Sequence, residues 1–169
     1  MSRITRGSWI AYALALAIIV LDQLSKYWIF SVVRLPEGAT MEVFGPLQFT
    51  RIWNPGVSFG LLQAEHDLFR WGMVAFNLGV AALLISWVRT QNRFLSAAGL
   101  ALLIGGAVGN AIDRARFGAV IDFIDVQRIG FFPWIFNIAD AAITIGIVAF
   151  LLDSLRRDAR PDALASGSD

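Results

Sequence analysis

Four stretches of this chain are long and apolar enough to cross a bilayer: about 9–30, 68–88, 94–112 and 133–152. About 20 helical residues span the hydrocarbon, so each is predicted to be a transmembrane helix. The first is interrupted by Asp22 and Lys26, four apart with the acid leading, the favourable order for an ion pair along one helix. Its basic start and apolar run also resemble the opening of a secretory signal peptide. No small-residue cleavage site follows, so the helix is expected to be retained. In the third stretch Ala101, Gly105 and Gly109 recur every four residues, a spacing that lets helices approach closely in lipid. In the fourth, Pro133 suits the first turn of a helix, where no amide donor is needed.

The segment 34–67 contains no spanning run. Short β-prone runs at 41–44 and 47–53 flank Gly45-Pro46, which predicts a hairpin. A loop over 54–59 follows, with permissive backbone at Gly56, and then a short interfacial helix over 60–66. Beyond 152 the chain is polar and rich in Ala, Ser, Arg and Asp, which predicts a disordered tail over 153–169. The pattern as a whole predicts an all-α polytopic membrane protein, with one four-helix domain over 1–152.

Composition agrees. A hydrophobic fraction of 57% with 16% charged residues lies outside the usual range of soluble domains. A net charge of +1 argues against a nucleic-acid partner, which would demand a basic stripe. The chain has no cysteine and one histidine, His66, so thiolate chemistry is excluded and a zinc site lacks its usual ligands. Arg3, Arg6, Arg89, Arg93, Arg156, Arg157 and Arg160 fall on one side of four spans, and the positive-inside rule makes that side cytoplasmic. Arg114, Arg116 and Arg128 lie on the other side and oppose the trend. Both termini are then expected inside, with Trp9 and Trp87 at the inner interface and Trp28, Trp71 and Trp134 at the outer.

This topology gathers acidic residues at the outer ends of the helices. Asn110, Asp113 and Arg114 share a face of the third helix; Asn137, Asp140 and Thr144 share a face near the outer end of the fourth; Asp122 lies in the connection between them. A carboxylate at the centre of a spanning helix costs roughly 2.5–3.5 kcal/mol on insertion scales, so these acids need a reason. Two carboxylates sharing a proton can hydrolyse a peptide, one activating water and the other polarising the carbonyl. The same acids can instead pair with Arg114, Arg116 and Lys26 to hold helices together, and spacing leaves both readings open. Asp113 reads as structural, and Asp125 and His66 as solvated surface residues. A proton-coupled transporter is the main competing class, although acids clustered at one interface do not line a path across the bilayer. A membrane scaffold leaves the two Asp in apolar surroundings unexplained.

Five blocks, in this order, resemble the type II (lipoprotein) signal peptidase family. They are Asp22-Gln23 with Lys26, Asn54-Pro55-Gly56-Val57-Ser58-Phe59, Gly109-Asn110-Ala111-Ile112-Asp113-Arg114, Val120-Ile121-Asp122-Phe123, and Phe136-Asn137-Ile138-Ala139-Asp140. The resemblance implies an aspartyl endopeptidase of the bacterial inner membrane, with its site at the outer face and no cofactor. It implies that the substrates are prolipoproteins bearing diacylglycerol, cut just before the lipidated cysteine, and that membrane lipids and cyclic peptide inhibitors such as globomycin are partners. Asp122 and Asp140 match the family's catalytic pair. Asn54, Asn110, Arg114 and Asn137 match polar residues that hold substrate or orient the acids, and Asp22, Lys26 and Asp113 are expected to support the architecture. The segment 34–67 would supply a small extramembrane β-platform and interfacial helix.

Overall fold

The computed structural model describes residues 6–56 and 67–158. Helix α1 (Arg6–Tyr27) runs on through a π-helical turn, Trp28–Val32. The hairpin β1 (Thr40–Phe44) and β2 (Leu47–Asn54) then crosses one end of the bundle. Helices α2 (Asp67–Val88) and α3 (Phe94–Phe117) go down and return. Strand β3 (Val120–Asp125) and the two-residue β4 (Ile135–Phe136) lead into α4 (Ile138–Asp158). The strands form one antiparallel sheet in the order β1-β2-β3-β4. All four helices are long and apolar enough to cross a membrane.

Helix α3 is the centre of the bundle. Of its apolar window 67% is buried, against 22%, 17% and 22% for α1, α2 and α4. The other three pack around it, and α1 and α2 scarcely meet. Small residues make this possible. A Cβ added at Gly99 would lie 2.9 Å from the carbonyl oxygen of Gly146 in α4, and one at Gly146 would lie 2.7 Å from that of Gly99. On the α1 side, a Cβ at Gly105 would lie 2.9 Å from the carbonyl oxygen of Ala15. The backbones are in contact, as the small-residue repeat predicts. Leu16, Leu24, Phe76, Leu83 and Ile145 point outward and are exposed, the arrangement expected where hydrocarbon is the solvent.

The architecture departs from the all-α expectation because the sheet is part of it: β3 and β4 join the hairpin and cap one end of the bundle. The segment 60–66, expected as an interfacial helix, lies outside the described residues, as does His66. Helix α3 does not stop at Ile112, where charged residues begin. It continues to Phe117 and ends at Gly118, which takes the left-handed conformation (φ 81°) and donates to the Arg114 carbonyl. Charged residues can stay helical here because the fold pairs them: Asp113 pairs with Lys26, and the Arg70 guanidinium donates to the carbonyls of Arg114 and Ala115 in the last turn. Helix α4 starts at Ile138, five residues past Pro133, because Asn137 caps it; Pro133 lies in the irregular approach to β4. The expected tail is helical through Asp158, held by Asp153, which accepts from Ser96 Oγ at 2.5 Å and pairs with Arg93 at 2.9 Å; residues 159–169 lie outside the described residues.

The α3–α4 contact should tolerate no added atoms. Gly146→Ala is expected to destabilise the bundle by about 1–3 kcal/mol. Gly79→Ala, on α2 where an added Cβ meets nothing within 4 Å, should cost nothing. Reversible unfolding in mixed micelles checks this, and equal losses at the two sites would contradict the packing described.

Candidate active site

Two aspartates from different elements meet where the sheet covers the bundle. Asp122 stands in the middle of β3, opposite Ile52 of β2, and is 1% exposed. Both its oxygens are engaged. Asn54 Nδ2, at the end of β2, donates to Oδ2 at 2.8 Å, and Asn137 Nδ2 donates to Oδ1 at 2.6 Å. The Asn54 amide is oriented by its other half, since its Oδ1 accepts from the Gly56 backbone N–H at 2.9 Å. Gly56 has φ 111°, and a Cβ there would collide with the Met73 sulfur, so glycine is required for this turn.

Asp140 belongs to the first turn of α4. Asn137 is the N-cap: its Oδ1 accepts from the Asp140 N–H at 2.9 Å, while Asp140 Oδ2 accepts from the Asn137 N–H at 3.3 Å. This reciprocal pair is a capping box with aspartate in the usual place of glutamate. The remaining oxygen, Oδ1, accepts from Asn110 Nδ2 on α3 at 2.8 Å. Asn137 is fully buried and holds both carboxylates, Asp122 through its side-chain amide and Asp140 through its backbone N–H, so one residue links the pair. Asn110 completes the ring by accepting from Asn137 Nδ2 at 3.3 Å.

The other expected site residues separate into two groups. Arg114 is buried beside the pair: a Cβ at Gly56 would lie 3.5 Å from its Nη2, and its Nε has no partner among the described residues. Asp22, Lys26 and Asp113 form a buried ion-pair cluster, in which Lys26 Nζ lies 2.8 Å from each carboxylate. Asp113 therefore pairs with Lys26 and not with its neighbour Arg114. Asp125, expected to be solvated, is buried in β3 and accepts from Thr50 Oγ1 at 2.6 Å. Strand β3 is buried at every position but Ile124, which a reading of that segment as loop does not anticipate. Gln23, which stands in the first of the five blocks with no role of its own, donates to Asp113 Oδ1 at 2.9 Å and to Asp22 Oδ2 at 3.2 Å. Among the described residues no three His, Cys, Asp or Glu side chains come together as a metal set.

The profile of the signal peptidase (SPase) II family matches residues 14–156. The chain belongs to this family. It is 48% identical over 152 residues to the lipoprotein signal peptidase of Caulobacter vibrioides, covering 89% of each chain. Over 141 residues it is 43% identical to that of Methylorubrum extorquens, covering 83% of this chain and 82% of the other. Its fold resembles that of a bacterial membrane enzyme solved by the in meso method at 2.3 Å resolution, with a TM-score of 0.76 at 26% identity over 95% of this chain and 93% of that one. A second such enzyme, solved at 1.9 Å, gives 0.75 at 28% identity over 86% and 92%. The protein is thus a multi-pass membrane protease of the signal peptidase II family.

Within this peptidase the two aspartates have different environments. Asp122 is shut away, whereas Asp140 is half-buried and joins Asn54 in the wall of a groove of about 490 Å³. Trp134, Phe136 and Ile145 make that groove apolar. The aromatic run around Pro133, expected as a helix start, instead supplies this lining through Phe132, Trp134 and Phe136. Burial pushes the Asp122 carboxyl up to about 7, and the charge of Asp140 adds to the rise; the amides of Asn54 and Asn137 and the Lys26 ammonium pull the other way.

The folded protein therefore holds the Asp122 proton more tightly than the unfolded chain, where an Asp titrates near 3.9. This contribution to stability is fully present below about pH 4 and is lost as pH rises through about 7. Asp122→Asn removes it. The stability of the variant relative to wild type should increase between about pH 5 and 8, by on the order of 1–3 kcal/mol. Parallel stability curves for the two proteins over that range would contradict the assignment.

Proposed function

We propose that the chain is an aspartyl endopeptidase that removes the signal peptide of diacylglyceryl-modified prolipoproteins, and that Asp122 and Asp140 activate the water. The observation that carries this reading is the bridge through Asn137, whose side-chain amide and backbone N–H bring a buried carboxyl and a half-buried one into a single hydrogen-bonded unit at the mouth of an apolar groove. One proton is shared by the pair at neutral pH, because two adjacent carboxylates resist joint ionisation. The ionised member takes a proton from water as the hydroxide adds to the scissile carbonyl carbon. The protonated member gives its proton to the carbonyl oxygen, forming a gem-diol. In the collapse the acid that took the water proton gives it to the amide nitrogen, and the other carboxylate takes a proton from a gem-diol hydroxyl. The C–N bond breaks, freeing the carboxyl group of the signal peptide and the amino group of the lipidated cysteine. The pair returns to one shared proton.

Arg114, with donors to spare beside the site, and Asn54 hold the substrate backbone; Asn110 and Asn137 orient the acids. Cyclic peptide inhibitors of the globomycin type would occupy the same groove. In this reading the site end of the bundle faces outward from the bacterial inner membrane, and the end carrying Arg89 and Arg93 faces the cytoplasm. The two acyl chains, each methylene contributing roughly 0.8 kcal/mol on burial, anchor the cysteine at the interface, while the signal peptide's apolar segment holds the other side of the bond. Depth is thereby fixed, and the bond meets the aspartates.

Purified protein should cut a lipidated precursor and should cut the unlipidated one at least about 100-fold more slowly at matched membrane concentration. Asp122→Asn and Asp140→Asn should each abolish cleavage, and the double variant should be little worse than either. An active single variant would sink the aspartyl pair; equal rates on the two precursors would reject the substrate.

A further inference from the structure

The peptide N–H immediately before each proposed catalytic aspartate is held by a buried carboxylate from another element. Ile121 N, preceding Asp122, donates to Asp113 Oδ2 of α3 at 3.1 Å. Ala139 N, preceding Asp140, donates to Asp22 Oδ1 of α1 at 3.0 Å. These two carboxylates meet at one ammonium: Lys26 Nζ lies 2.8 Å from Asp22 Oδ2 and 2.8 Å from Asp113 Oδ2. The third donor of Lys26 points to Asn110 Oδ1 at 3.4 Å, and Asn110 itself donates to Asp140. Lys26 is 2% exposed, Asp22 0% and Asp113 1%, so all three charges are buried.

Such a brace has work to do. Beyond their pairing at Ile124 and Asp125, β3 and β4 make no ladder, so sheet hydrogen bonds do not set the distance between Asp122 and the start of α4. Side chains must do so. A lysine suits the position, since its ammonium presents three donors in three directions, where the planar fork of an arginine could not serve all three acceptors.

We propose that Lys26 is a positioning residue for the aspartate pair: it ties together the two carboxylates that hold the backbone before Asp122 and before Asp140, and so sets the separation of the acids. The inference rests on the aspartyl reading given under Proposed function. It differs from a role as mere glue between α1 and α3, which would affect stability but leave turnover by folded molecules unchanged.

A cavity of about 150 Å³ is lined by Gln23, Lys26, Asp113 and Ile121, and truncating Lys26 would open room for a small amine beside it. Lys26→Ala should lower kcat on a lipidated precursor roughly 100-fold, with KM within about two-fold of wild type. Propylammonium should restore kcat at least about tenfold, and 1-propanol, of the same size without the charge, should not. Folded Lys26→Ala with wild-type kcat, or equal rescue by the alcohol, would overturn the proposal. Should Lys26→Ala not fold, Asp113→Asn keeps the volume and the Lys26–Asp22 pair. It should lose about tenfold in kcat at unchanged KM, and unchanged kcat would again overturn the proposal. Asp122→Asn, assayed alongside, separates the two readings: activity there rejects the aspartate pair itself, whereas an inactive Asp122→Asn beside a fully active Lys26→Ala rejects only the brace.

Discussion

A carboxylate enclosed among apolar helices must find its hydrogen-bond partners within the protein, and the layout of the site end follows from how each one does so. Asp22 takes Lys26 and the Ala139 amide; Asp113 takes Lys26, Gln23 and the Ile121 amide; Asp122 takes Asn54 and Asn137. Every one of these sets joins elements distant in sequence. Removing Lys26 would leave two buried carboxylates uncompensated, at a cost of about 3–5 kcal/mol, so these contacts act as registration points for α1, α3, β3 and α4. Asp153 does the same at the opposite end, holding the last turns of α4 to the start of α3 through Ser96 and Arg93.

These contacts can close only because the helices come close enough. Backbone-to-backbone contact of α3 with α4 at Gly99 and Gly146, and with α1 at Gly105 and Ala15, brings the first turn of α4 within reach of Asp22. A Cβ at Gly109 would lie 2.7 Å from Asp22 Oδ2, so the same stripe of small residues that permits packing also makes room for the charge. Packing and chemistry use one surface of α3. The sheet then adds what helices alone would not: a β3 buried at nearly every position, Asp122 and Asp125 included, while β2 delivers Asn54.

The four spans, the hairpin about Gly45-Pro46, the Asp22–Lys26 pair and the meeting of Asp122 with Asp140 were legible because each rests on local periodicity or on a topology that four spans dictate. The ends of α3 and α4 were not. Charge marks the end of an apolar run, but a paired charge does not end a helix, and the pairing of Asp113 with Lys26 spans 87 positions. At α4 the start was misplaced because Pro133 outweighed the Asn137-x-x-Asp140 cap, although the cap was written in the sequence. Asp125 looked solvated since nothing local reveals that Thr50, from another strand, covers it.

If two carboxylates share one proton at the mouth of the groove, that proton should be visible. Infrared difference spectroscopy of the resting protein should show a protonated carboxyl C=O stretch that is absent in Asp122→Asn and disappears with a midpoint near 7 as pH rises. A spectrum with no such band, or a band from Asp122 unchanged between about pH 5 and 9, would contradict the shared proton on which the account of catalysis depends.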